Sequence, residues 1–173
     1  RMKAVGDALG IEQRQIAGDS EFASDLAVAA GRKAIDKFGG EPGEIDFLIL
    51  CTQTPDFYLP TTALIVHESL ALSTSAGALD VTLGCSGFVY SLGLAKGLIE
   101  TSQAQKVLVI TVDVLSKVIN SMDQGTVPVF GDAAAATIVM PSAGSGSVEG
   151  FVYGTDGSGA GSLIVPNGGL RSG

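Results

Sequence analysis

Two uninterrupted apolar runs constrain what this chain can fold into more than any other feature: DFLILCTQ (Asp46–Gln53) and KVLVITVDV (Lys106–Val114). A strand with one face in water alternates apolar and polar residues, and these runs do not. Each therefore predicts a strand covered on both faces, the kind that parallel sheets hold between helical layers. GALDVTL (Gly77–Leu83) reads as another strand. Helix-like segments lie between them, so the expected architecture is α/β, with the sheet between helices. Two more strands, AAAATIVM (Ala133–Met140) and SVEGFVYG (Ser147–Gly154), are separated only by PSAGSG and predict a hairpin. Three and two make a mixed, mostly parallel five-stranded sheet.

A helix is expected over Ser20–Phe38: Asp19 and Ser20 can cap it, Phe22, Leu26, Ala30, Ala34 and Phe38 recur every fourth residue, and Gly39-Gly40 stop it. TPDFYLP (Thr54–Pro60) is a loop bounded by prolines, and Thr61 or Thr62 opens a helix running to Leu72. A third helix follows Gly87 and reaches about Thr101. It is apolar nearly all round (Phe88, Val89, Leu92, Leu94, Ala95, Leu98, Ile99), which predicts a central, buried helix, and Gly93 and Gly97 give it a smooth stripe where another element can press close.

The length of 173 residues suits one domain or one half of a two-part protein. With 46% apolar and 16% charged residues, such a chain buries a large core or covers apolar surface with a partner or a missing half. The opening Arg1-Met2 and the closing PNGGLRSG read as cut ends. A net charge of −8, with only Arg32 and Lys33 adjacent among the basic residues, argues against nucleic acid. No apolar run reaches the roughly 18–20 residues of a membrane span, and no signal-peptide pattern is visible, so a cytoplasmic location without membrane contact is expected. Two cysteines, Cys51 and Cys85, are too few for a disulfide framework and are expected reduced.

One stretch carries chemistry. In ALDVTLGCSGFVYSLGLAKGLIE, Cys85 stands between a strand and a helix with Gly84 and Gly87 on either side. This has the mechanics of a nucleophile elbow, in which a sharp turn lifts one side chain above the sheet and glycines permit close backbone approach. The helix aims its first N–H groups and positive dipole end at Cys85, which favours a reactive thiolate and can help hold an oxyanion. Cys51, inside a strand run, is expected to be core. His67, the only histidine, sits mid-helix beside Glu68 and is expected to be a surface or packing residue. The partners of Cys85 are then expected outside this chain. GTDGSGAGS (Gly154–Ser162) does not run from a strand into a helix and lacks a Gly-Lys-Ser/Thr ending, so it reads as a flexible loop, not a phosphate cradle. No cluster has metal-ligand spacing. Asp132, before a run of alanines, reads as a turn-stabilising carboxylate ahead of a strand kept small for packing.

Taken in order, DVTLGCSGFVYSLGLAKGLIE, VLVITVDVLSKV and DQGTVPVFGDAAAATIVM resemble the N-terminal half of a beta-ketoacyl-acyl-carrier-protein synthase III, a condensing enzyme of the thiolase-like superfamily. GIEQRQIA (Gly10–Ala17) and GTDGSGAGSLIVPNGG match further landmarks of that family, so the resemblance covers almost the whole chain. It implies a thiolase-like fold, of which residues 1–173 form the N-terminal αβα half without the family's first strand or C-terminal half. It implies that Cys85 accepts an acyl group from an acyl thioester such as acyl-coenzyme A, with its backbone N–H as an oxyanion donor. The acyl group then passes to a carbanion made by decarboxylating malonyl-carrier protein, which begins fatty acid synthesis. The family works as a homodimer without a cofactor, with acyl carrier protein as partner. Its catalytic histidine and asparagine belong to the second half, so His67 is not that histidine.

Three departures from the family pattern stand out. No tryptophan occurs, and AVGDAL (Ala4–Leu9) lacks the arginine that contacts coenzyme A. Gly-Asp-Ala-Ala-Ala-Ala replaces Gly-Asp-Gly-Ala-Gly-Ala. Leu59 stands where a phenylalanine closes the acyl pocket across the dimer, which points to a different chain-length preference. The acidic balance offers no docking patch for a carrier protein, which is expected on the missing half. Two other readings are a relative serving polyketide or other specialised metabolism, and a non-catalytic dimerising fragment.

Overall fold

The computed structural model describes residues 8–142, 148–165 and 170. The described elements are α1 (Ala23–Phe38), β1 (Phe47–Cys51), α2 (Thr62–Ser69), β2 (Gly77–Val81), α3 (Gly87–Glu100), β3 (Val107–Asp113) and β4 (Ala133–Val139), with single 3-10 turns at Pro42–Glu44, Leu115–Lys117 and Gly157–Gly159. The strands form one sheet in the order β2-β1-β3-β4. β1 runs parallel to both neighbours, with Leu48 opposite Ala78 and Leu108, and β4 pairs antiparallel with β3.

The continuous apolar runs do what their lack of alternation implies. Side chains alternate faces along a strand, so Leu48, Leu50, Leu108, Ile110 and Val112 face α1 and α2. Ile49, Val107 and Val109 point the other way, onto Ala95, Leu98 and Ile99 of α3. The α/β layering is as expected. The sheet, however, has four strands among the described residues, not five. Ser147 and the linker residues 143–146 lie outside the described residues, and 148–154 pair with no strand. That segment crosses α3 instead: Tyr153 packs on Tyr90 with ring centroids 4.8 Å apart and stacks on Phe151 at 5.8 Å. The Tyr153 hydroxyl occupies the space where a Cβ at Gly93 would sit. The smooth stripe on α3 is therefore used at Gly93, while Gly97 meets nothing. The aromatic rings of this segment thus pack on the bare backbone of α3.

α1 also departs from expectation. It begins at Ala23, and the Phe22 N–H donates to the Asp25 carboxylate at 2.9 Å, so Asp25 and not Asp19 or Ser20 closes the first turn. Its buried stripe is Ala23, Ala27, Gly31 and Ile35, while Phe22 and Phe38 stay exposed. The reason is distance. A Cβ at Gly31 would lie 2.8 Å from a Leu70 methyl and 3.2 Å from an Ile110 methyl, so α1 comes too close there for a larger residue. Gly39 ends the helix at φ 74°, in the left-handed region that glycine favours.

α2 ends at Ser69, earlier than expected. Its N-terminus is capped from another element: the Asp80 carboxylate on β2 accepts from the Thr62 and Ala63 N–H groups at 2.8 and 2.7 Å. Only Gly87, Ser91 and Ala95 of α3 are fully buried, and Phe88, Val89 and Leu94 remain nearly half exposed. The central, buried helix expected from its composition thus has one covered stripe, with exposed apolar side chains on either side of it. No helix among the described residues is long and apolar enough to cross a membrane.

Candidate active site

The chain leaves β1 for β2 through α2 on one face, then leaves β2 for β3 through α3 on the other. The exits of β1, β2 and β3 therefore gather at the carboxyl end of the sheet, where open α/β folds place their sites. Asp113, last residue of β3, ties two of these exits together. Its Oδ1 accepts from the Gln53 N–H at 2.8 Å and from the Thr52 and Thr54 hydroxyls at 3.3 Å. The Thr54 oxygen in turn accepts from the Val114 N–H at 2.8 Å.

At the third exit stands the elbow. The turn over 84–87 closes with the Gly87 N–H donating to the Gly84 carbonyl at 2.8 Å, and α3 starts at once. Cys85 is exposed and unbridged at the head of that helix. A helix leaves its first N–H groups without intrahelical acceptors, so Cys85 lies beside a cluster of donors and a partial positive charge.

The flanking glycines have a specific cause, which is not a left-handed backbone, since neither has a positive φ. A Cβ at Gly84 would come 2.5 Å from Gln53 Oε1, and one at Gly87 would overlap Cys51 Sγ. Both glycines yield to side chains at the end of β1. Cys51 is core, as expected, at 4% exposure. Sequence reasoning missed that its thiol donates to the Leu83 carbonyl at 3.1 Å and so touches the elbow. Burial pushes the Cys51 thiol above its ordinary pKa, and the Asp113 charge adds to the rise. The fully buried Ser91 hydroxyl lies beside the same thiol and has no well-formed hydrogen bond among the described residues.

The remaining candidates sort cleanly. His67 Nε2 meets the Ser73 carbonyl at 2.9 Å, a packing contact. Ser73 precedes β2 and Cys85 follows it, so the two stand at opposite ends of the sheet. Asp132, 5% exposed, accepts from the Ala17 N–H at 2.8 Å, the Ser116 N–H at 2.9 Å and the Ser116 hydroxyl. It pins three segments, as a structural carboxylate should, and α1 packs on the small residues Ala134 and Ala136 that follow it. Burial would raise its pKa, but the hydrogen bonds from Ser116 and Ala17 and the Lys117 charge outweigh it and hold the carboxyl below its ordinary range. In the Gly154–Ser162 tract, Asp156 accepts from the Ser158 N–H and hydroxyl around a 3-10 turn that leads into no helix.

Leu59 is 86% exposed. Its loop is nonetheless anchored: Asp56 accepts from the Ser24 N–H and hydroxyl at 3.1 and 2.6 Å, and the Asp56 N–H donates to the Thr62 hydroxyl at 3.1 Å. Two shallow clefts, of about 250 and 290 Å³, lie against β4 and include neither Cys85 nor Leu59. No group of three or more His, Cys, Asp or Glu among the described residues is placed to hold a metal. Residues 4–7, in the stretch lacking the coenzyme A arginine, lie outside the described residues.

A family model described as 3-oxoacyl-(acyl-carrier-protein) synthase III matches residues 79–157, which include the elbow, β3, β4 and the Asp132 turn. The beta-ketoacyl-(acyl-carrier-protein) synthase III of Caldanaerobacter subterraneus subsp. tengcongensis is 40% identical over 162 residues, which are 94% of this chain and 49% of the relative. A solved 3-oxoacyl-(acyl-carrier-protein) synthase III superposes with a TM-score of 0.92 at 45% identity, over 99% of this chain and 51% of that one. The priming beta-ketosynthase of the R1128 polyketide pathway superposes at 0.86 with 31% identity, over 97% of this chain and 50% of that one. The chain thus spans about half the length of the curated relatives it matches. Its fold is the thiolase-like one, with four strands described. By sequence and by fold, the chain belongs to the beta-ketoacyl-(acyl-carrier-protein) synthase III family, whose N-terminal half it matches.

Proposed function

We propose that the enzyme to which this chain contributes is an acyltransferase that loads an acyl group onto Cys85 and condenses it with malonyl-carrier protein. The observation that carries this reading is Cys85 itself, an exposed thiol raised on a strand-to-helix turn against the first N–H groups of α3. The Cys85 sulfur attacks the carbonyl carbon of an acyl thioester, and negative charge gathers on the carbonyl oxygen. Backbone N–H groups at the head of α3, that of Cys85 among them, are the donors on hand for that oxygen. The carbon–sulfur bond to the donor breaks, its thiol leaves with the proton given up by Cys85, and an acyl-cysteine remains. Malonyl-carrier protein then loses carbon dioxide, the carbanion attacks the acyl-cysteine, and Cys85 is released as the new carbon–carbon bond forms. The steps need no cofactor.

Groups that promote decarboxylation come from outside the described residues, since His67 stands at the wrong end of the sheet. Leu59, on its anchored loop, is assigned to the acyl pocket once that loop is covered by another part of the enzyme or by a second copy. The apolar side chains that α3 leaves nearly half exposed, Phe88, Val89 and Leu94, support burial against a second copy in a homodimer.

The test is intact mass before and after incubation with a panel of acyl-coenzyme A thioesters, alongside Cys85→Ala. An acyl-sized gain that disappears in Cys85→Ala is expected, and its size names the primer. No gain on the full-length protein overturns the loading step and favours a non-catalytic role. The likeness to a polyketide-priming ketosynthase supports a second reading, in which the same cysteine starts a polyketide chain. Identifying the products from malonyl-carrier proteins of each pathway separates the two.

A further inference from the structure

The elbow is braced at both ends by one side chain that the acyl-transfer chemistry does not use. Leu83, two residues before Cys85, offers its carbonyl to the Cys51 thiol at 3.1 Å. Gly87, two residues after Cys85, lies so close to the same sulfur that a Cβ would overlap it. Cys51 ends β1, a strand buried from Leu48 to Cys51 and paired on both sides, so the sulfur is fixed to the middle of the sheet. We propose that Cys51 is a positioning residue for Cys85: its thiol, bonded to the Leu83 carbonyl and packed on Gly87, sets the height and direction of the elbow. The proposal rests on the reading of Cys85 as the acyl acceptor.

Both contacts require a protonated sulfur of this size. Donation to a carbonyl needs the S–H, and burial keeps it protonated. The fit against Gly87 needs a side chain that ends at one atom. Cys51→Ala removes the donor and the packed atom together. Cys51→Ser restores a donor on a shorter reach. The reverse probe is Gly87→Ala, which thrusts a methyl at the sulfur. In a Cys51→Ala background the overlap is gone, and what remains is a tight contact with Leu83 Cβ at 3.3 Å, which a shift of a few tenths of an ångström relieves, and an ordinary one with the Cβ of residue 51 at 3.8 Å.

The experiment measures two rates on the full-length protein: acylation of Cys85 by acyl-coenzyme A, and alkylation of Cys85 by iodoacetamide as a function of pH, mapped by peptide. Cys51→Ala is expected to slow acylation by about threefold to tenfold, the worth of one modest hydrogen bond, and to shift the alkylation profile. Cys51→Ser is expected to recover part of both. Gly87→Ala is expected to slow both reactions severely alone, but by no more than about twofold in the Cys51→Ala background. Unchanged rates and an unchanged pH profile in Cys51→Ala overturn the proposal, as does a Gly87→Ala penalty of equal size in both backgrounds. If wild-type protein alkylates at Cys85 but never acylates, the acyl-acceptor reading has failed, and the alkylation cycle still decides whether Cys51 braces the elbow. If Gly87→Ala does not fold, the Ala and Ser variants at 51 decide it alone.

Discussion

Asp132→Asn is the sharpest test of what holds the carboxyl end of the sheet together. The wild-type carboxylate is 5% exposed and faces only donors: Oδ1 takes the Ser116 N–H, and Oδ2 takes the Ala17 N–H and the Ser116 hydroxyl. An amide of the same shape must point its NH2 at one of those two sites. Placed at Oδ2, it leaves the Ala17 N–H without an acceptor, although the Ser116 hydroxyl can turn to accept. Placed at Oδ1, it orphans the Ser116 N–H. Either way one buried donor is stranded, at about 1–3 kcal/mol, and the surviving bonds lose their charge assistance, for a total of about 2–4 kcal/mol. The assay is unfolding free energy from urea titration, wild type against variant, across pH. Because the folded carboxyl titrates below its ordinary range, its contribution is complete above the unfolded value of about 3.9 and is lost as pH falls through the folded one. The gap between the proteins is therefore expected to be flat near neutrality and to close in acid. A variant within about 0.5 kcal/mol of wild type at pH 7 refutes this account of the turn.

Asp80→Ala removes the carboxylate that caps α2 from β2 and is expected to cost about 1–2 kcal/mol, with amide exchange at Thr62 and Ala63 accelerating before that of the strands. Unchanged exchange at those two amides contradicts the cap. The two thiols are expected to differ sharply toward iodoacetamide in native protein: Cys85 is exposed and reacts, whereas Cys51, buried and with its pKa raised, reacts only on denaturation. Comparable labelling of both in the native state argues against a packed β1 terminus.

The parts of this fold that could be read from the chain were those whose signal is local. DFLILCTQ and KVLVITVDV carry their burial on both faces in consecutive residues, and they became the two central strands. The bracket of Gly84 and Gly87 marked Cys85 for the same reason. The readings that failed depended on residues far apart in the chain. Phe22 just before α1 and Phe38 at its end stay exposed, while the stripe that packs inward is Ala23, Ala27, Gly31 and Ile35, with Gly31 required by the closeness of Leu70 and Ile110. The strand expected over Ser147–Gly154 has the right composition, yet its aromatic rings meet a gap at Gly93 that only the folded helix reveals. Bracing of the elbow by Cys51 joins positions 32 apart, and nothing in either segment announces it.

What the carboxylates do decides what Cys85 must obtain from elsewhere. A thiol used for acyl transfer benefits from a nearby base or a cationic partner. The acidic residues closest to the strand exits are all engaged by donors. Asp113 holds Gln53, Thr52 and Thr54, and Asp80 holds the start of α2. Asp56 holds Ser24, and Asp132 holds Ala17 and Ser116. Each fixes backbone at the carboxyl end of the sheet, and diverting any of them to proton transfer would strand the N–H groups it satisfies. His67 is at the far end of β2. Among the described residues, then, this end of the sheet supplies a frame held by hydrogen bonds, an exposed thiol and backbone donors, while the carboxylates named above are all engaged. On the acyl-transfer reading proposed above, the division of labour follows from these hydrogen bonds: the described residues present the thiol, and the groups that move protons around it come from beyond them.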